Sequence, residues 1–132
     1  MTNKVYNISK REMDDLKEEL KKDNYLYIVE VDGNTIQSLQ DYLNAVNEKF
    51  DFPIPVRGLD GYLDWIRDLE WLEKEKYVFI INNFKNYIKE DLNIKDRIIK
   101  DLEKIVLPWW QEEVEECVVD GKAKPFNVYL VD

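Results

Sequence analysis

Asp60, Asp64 and Asp68 stand four residues apart in the segment Gly58-Leu59-Asp60-Gly61-Tyr62-Leu63-Asp64-Trp65-Ile66-Arg67-Asp68-Leu69. At about 100° per residue, a helix sets the three carboxylates in one stripe, nearly opposite an apolar face of Leu59, Tyr62, Leu63, Ile66 and Leu69. Like charges at that spacing cost a helix roughly a few tenths of a kcal/mol per pair. Asp60 offsets part of this, because the dipole favours an anion in the first turn; Asp68 has no such compensation. Such a stripe is ordinarily a solvated face. Two neighbours point further. Gly61 gives up about 1 kcal/mol relative to alanine inside a helix, and a glycine beside exposed acids would let another backbone come close. The preceding Phe52-Pro53-Ile54-Pro55-Val56-Arg57 is apolar and stiffened by its prolines, a pre-organised surface. The chemistry on offer is a fixed row of negative charge set against a basic surface.

Composition narrows the field around that stripe. The chain has 132 residues, the length of one domain, and 45% of them are hydrophobic, enough for a core despite the high charge. Acids outnumber bases 28 to 19, a formal charge of -9. This surface repels nucleic acid and anionic membrane and attracts basic partners, and direct phosphate-backbone binding would need clustered Lys and Arg. There is no histidine, which removes Ser-His and Cys-His nucleophiles and the common zinc sites. Glu112, Glu113, Glu115 and Glu116 face mixed directions on a helix and suggest a solvated face over a metal site. No metal, cofactor or enzymatic activity is expected. Cys117 is the single cysteine, so no intrachain disulfide forms. It falls in an apolar helical pattern that predicts burial. A lone cysteine and a start, Met1-Thr2-Asn3-Lys4, without the apolar run of a leader predict a cytoplasmic location. The longest apolar run, Tyr77 to Ile81, is too short to cross a bilayer.

The elements that must position the stripe follow from pattern and punctuation. Ser9-Lys10-Arg11-Glu12 is a capping box, and Met13, Leu16 and Leu20 predict a helix over 10–22. Tyr25 to Val31 alternates as a strand and Asp32-Gly33 is a turn. Ser38 opens a second helix, with Leu39, Tyr42, Leu43, Val46 and Phe50 on one face, stopped by Pro53 and Pro55. The acidic segment predicts a third helix from Gly58 to about Leu72. Tyr77 to Phe84 predicts a buried central strand, with Asn82-Asn83 ending it. Asn93 to Val106 is a helix that Pro108 kinks or restarts, continuing over Trp109 to Val119 and stopped by Gly121. Trp109 and Trp110 fit helix packing better than a binding platform. Phe126 to Val131 is the last strand. Strands separated by helices predict parallel pairing with right-handed crossovers.

In order and spacing these motifs resemble the barstar-like family, protein inhibitors of a bacterial ribonuclease. Val31-Asp32-Gly33-Asn34-Thr35-Ile36-Gln37-Ser38-Leu39-Gln40-Asp41 resembles the family's first strand, turn and helix. The acidic segment resembles its Leu-Asp-x-x-x-Asp-x-Leu inhibitory helix. Arg67-Asp68-Leu69-Glu70-Trp71-Leu72 resembles the stretch before its central strand, and Pro125 to Leu130 its terminal strand. The resemblance implies a barstar-like α/β domain over 24–132, with a small three-stranded parallel sheet, and a helical N-terminal extension over 1–23. It also implies that Asp64 takes the place of the family's central phosphate-mimicking aspartate and Asp60 that of the one a turn earlier. Asp68 supports them, and Glu112 is the nearest match to a peripheral acidic contact. Val56, Arg57, Gly61, Leu63 and Trp65 complete the expected contact set. The family is itself a standard illustration of charge-steered association. The chain departs from it where Leu63 replaces an aromatic contact, Pro-Ile-Pro-Val replaces loop tyrosines, and Arg57 brings a positive charge to the rim.

The expected function is a bacterial ribonuclease inhibitor, an immunity protein or antitoxin, monomeric alone and heterodimeric with a basic nuclease. The alternative is an acidic interaction module that keeps the fold and binds a non-nuclease basic protein. Trp65 fits either an interface anchor or partial burial against a neighbouring helix.

Overall fold

The apolar run from Tyr77 to Ile81 is buried on both faces, which only a central strand with helices on each side can satisfy. The computed structural model describes residues 2–132; Met1, the first residue of the predicted extension, lies outside the described residues. Along the chain run β1 (Val5–Ile8), α1 (Lys10–Leu20), β2 (Leu26–Asp32), α2 (Leu39–Lys49), α3 (Leu59–Ile66), β3 (Lys76–Asn82), α4 (Leu92–Asp101), α5 (Val114–Cys117) and β4 (Phe126–Val131). The sheet order is β1-β4-β3-β2, and every pair is parallel. The α/β class and parallel pairing are as expected. The strand count is not: the described residues form four strands, where three were expected.

The extra strand is β1, which pairs Val5 with Val128 and Ile8 with Val131. Four residues are too few to show an alternating pattern. The strand is held instead by Asn3, whose side chain donates to the Leu107 and Lys124 carbonyls (both 3.2 Å) and accepts from the Phe126 amide (3.1 Å). The backbone N–H of Asn3 also reaches Gln111 Oε1 at 2.8 Å.

The sheet has two unequal faces. On one, Val78, Ile80 and Val131 meet Met13, flanked by Leu16 and Leu20 of α1. Ser9 caps α1 through the expected box with Glu12. Lys17 reaches across to Glu30 of β2 at 2.8 Å. On the other face, Phe79, Phe126 and Val128 form the main core with residues of α2, α3 and α4. Ser38 caps α2 by accepting from the Asp41 amide.

Three further expectations are corrected. The third helix ends at Ile66, not Leu72, because Leu69 enters the core with no exposure and takes a left-handed backbone, φ 56°. That conformation costs a non-glycine residue about 1–2 kcal/mol, which burying leucine offsets. Pro108 does not restart its helix. The chain stays helical past it, with wide π-type turns at Leu102–Val106 and Trp109–Glu113 that absorb the missing amide donor. Cys117 is exposed, because α5 ends there and the apolar pattern runs on into the exposed Val118 and Val119.

Candidate partner-binding surface

α3 turns Tyr62 and Ile66 fully inward and leaves Asp60 and Asp64 outward. Its position rests on a buried contact: the Tyr62 and Tyr42 hydroxyls are 2.7 Å apart, and their rings meet edge-on at 5.4 Å. Burial raises the pKa of both hydroxyls above the usual tyrosine value, so both keep their protons and the bond. The far end of α3 is closed by Trp110, whose indole N–H donates to the Ile66 carbonyl at 2.9 Å. That carbonyl is one of the orphan acceptors of a helix C-terminus. Trp110 is buried, as its helix-packing reading requires; Trp109 is half-buried.

The loop before α3 is fixed by a two-bond clamp. The Val56 amide donates to Asn47 Oδ1 at 2.8 Å, and Asn47 Nδ2 donates to the Val56 carbonyl at 3.0 Å. The clamp turns the Val56 side chain into the core. A Cβ on Gly61 would lie 3.2 Å from Val56 Cγ1, so the missing side chain there is occupied by the protein's own loop. Pro53, Ile54, Pro55 and Arg57 remain outside, with Ile54 66% exposed. Ile54 is thus the apolar group that the loop displays. The alternating apolar and proline residues gave no periodicity from which to tell it from Val56.

Asp64 is well exposed, with 78% of its side chain open to solvent. One turn on, Arg67 Nη2 approaches Asp64 Oδ1 at 3.5 Å. Arg67 is held from two further sides: Nε donates to the Leu63 carbonyl at 3.0 Å, and the guanidinium lies 5.5 Å from the Trp109 ring centre. Sequence reasoning did not single it out, although its i,i+3 spacing from Asp64 was a usable signal. Asp68 lies beyond the helix end, where its carboxylate accepts from the Glu70 amide at 3.2 Å. The three-aspartate stripe is therefore two helical aspartates and one in the following turn. Leu63 is half-buried against the core. Trp65 is half-buried too, edge-on to Trp71 at 5.3 Å. Glu112 is exposed on the π-type turn after Trp109.

Beside Asp64 opens a cleft of about 590 Å³, which Asp64, Arg67 and Asp68 share with Trp109, Val114 and the Val118–Lys122 turn. Glu112 does not line it. No group of acids among the described residues has the arrangement of a metal site. No helix among them is long and apolar enough to cross a membrane.

These features define a small α/β protein that displays an acidic helix beside a stiffened loop. The chain belongs to the barstar family: the family model described as Barstar (barnase inhibitor) matches residues 26–121, which include α3, the loop and the cleft's turn at 118–121. No curated protein matches the chain. Among matching solved structures is the Aeropyrum pernix ORC2 protein in its ADPNP-ADP complexes. It is 16% identical, with a TM-score of 0.58 over 98% of this chain. The chain covers 34% of that protein, so the likeness speaks to the fold alone.

Proposed function

We propose that the protein inhibits a basic ribonuclease, acting as an immunity protein or antitoxin whose α3 and preceding loop cover the enzyme's active site. The observation that carries this reading is the pair Asp60 and Asp64, outward on a helix whose other face is pinned to the core, within the residues matched to the family. A carboxylate so placed meets a partner's cations without reorganising, which limits the ordering cost of binding. Asp64 is the central phosphate mimic. Asp60 and Asp68 support it, Arg57, Leu63 and Trp65 border it, and Glu112 is a peripheral acid. Val56 and Gly61 act from behind by holding the loop against α3. The partner must supply fixed cations, since a carboxylate buried without them is strongly destabilising, and proteins lacking them are rejected.

Two observations favour a second reading, an acidic module for a non-nuclease basic partner. Arg67 stands close to Asp64, and the half-buried Leu63 offers no aromatic contact. One experiment separates the two. The purified protein is mixed with the basic ribonucleases of its own cell, with barnase as reference, and RNA cleavage is followed. The wild type is expected to block cleavage by one of them in a one-to-one complex. Folded Asp64→Ala is expected to bind about a hundredfold more weakly. Inhibition undiminished in Asp64→Ala overturns the active-site plug, and capture of a basic protein without nuclease activity selects the second reading.

A further inference from the structure

We infer that the cleft between the end of α3 and the Val118–Lys122 turn is a second contact of the same interface, seating a basic loop of the nuclease partner. The inference rests on the inhibitory reading above and names where its selectivity lies. α3 is a convex plug, and binding energy concentrates in desolvated pockets, which a convex surface lacks. The cleft supplies the concave half directly beside Asp64, and its volume of about 590 Å³ lies in the range of ligand-seating pockets.

Its far wall is fixed. The Lys124 amide donates to the Trp110 carbonyl at 2.8 Å, and the Gly121 amide to the Val118 carbonyl at 2.9 Å. The Ala123 amide donates to Glu115 Oε2 at 3.0 Å. A Cβ on Gly121 would lie 2.3 Å from the Val114 carbonyl oxygen, so only glycine lets the turn pass α5 this closely. The wall carries Val118 and Val119, 44% and 91% exposed. Apolar side chains held so far into water gain most from a macromolecular cover.

Charge names the occupant. Of the cleft's cations, Arg67 lies 3.5 Å from Asp64 and Lys122 lies 3.0 Å from Glu75, while Lys124, whose Nζ donates to the neutral Lys74 carbonyl at 2.7 Å, keeps its charge. Among the described residues no salt bridge reaches Asp68, Glu70 or Asp120, which share the same cleft. The occupant is thus amphipathic and cationic, an Arg or Lys whose stem lies on the valines and whose head meets those acids.

The test compares three exposed-site variants with wild type against the ribonuclease that the protein inhibits. Val118→Ser/Val119→Ser is expected to bind about tenfold more weakly, mainly through faster dissociation. Glu70→Lys is expected to slow association and to weaken its salt dependence. Asp64→Ala reports the plug itself. Thermal melts check that each variant stays folded. Wild-type affinity in the valine variant beside a weak Asp64→Ala overturns the cleft contact and leaves the plug standing. Failure of the wild type to bind any basic ribonuclease overturns both.

Discussion

At the scale of single residues, Asp64 and Arg67 look like a salt bridge and contribute little as one. The pair is 3.5 Å apart and Asp64 is 78% exposed. Exposed pairs of this kind are worth about 0–1 kcal/mol. Arg67 stabilises by other means, its bond to the Leu63 carbonyl and its place over Trp109. Arg67→Ala is therefore expected to lower stability by about 1 kcal/mol. Asp64→Ala should change it by less than about 0.5 kcal/mol. Denaturant midpoints measure both, and a larger loss for Asp64→Ala than for Arg67→Ala would refute this division of roles. The division matters because it lets a loss of inhibition in Asp64→Ala report a lost contact rather than lost folding. The outward placement of Asp60 and Asp64 was legible in the sequence, since it follows from helical spacing alone. The anchoring of Arg67 was not, because Trp109 comes to it from a helix far along the chain.

At the scale of elements, β1 is fastened by one side chain more than by its own pattern. Asn3 is buried, donates to two carbonyls and accepts from the Phe126 amide, so a single amide ties the strand to β4 and to the Leu107 carbonyl of the helix that runs through Pro108. Asn3→Ala leaves those groups without partners, at a cost of about 1–3 kcal/mol. It is expected to lower the denaturant midpoint and to speed amide exchange along Val5–Ile8 and its partners in β4, while exchange in α3 holds. Unchanged protection of β1 would show that the pairing with β4 suffices alone. Helix starts were well legible, because Ser9 and Ser38 cap through local bonds that sequence spacing encodes. Ends and edges were less so. Leu69 stops α3 because the core demands its side chain, and β1 exists because distant carbonyls await Asn3. Both causes lie outside any local window.

At the scale of the whole molecule, parallel strands joined by helices were legible in the order of the segments, and the second sheet face was not, because α1 covers it through contacts with strands late in the chain. The main core sets buried tyrosines among its aliphatic side chains. Tyr42, Tyr62, Tyr77 and Tyr87 are each 1% exposed or less and pack around Phe79 and Phe126. Burial raises the pKa of Tyr42, Tyr62 and Tyr87 above the ordinary value of 10, and that of Tyr77 to about 12 with help from the Glu75 charge. The sign follows from proton counting. Below pH 10 both folded and unfolded chains hold these protons, and the stabilisation is complete. As pH rises past 10 the unfolded chain releases them and the folded chain does not, so stability falls until the folded values are reached. The denaturant midpoint is therefore expected to be level through neutral pH and to drop steeply by about pH 11. Replacing Tyr42 and Tyr62 together by Phe removes both partners of one buried bond, which is far milder than removing one, and should make the alkaline decline shallower. A midpoint that stays level to about pH 11 would mean that the buried tyrosines ionise inside the native state and that α3 does not depend on their protons.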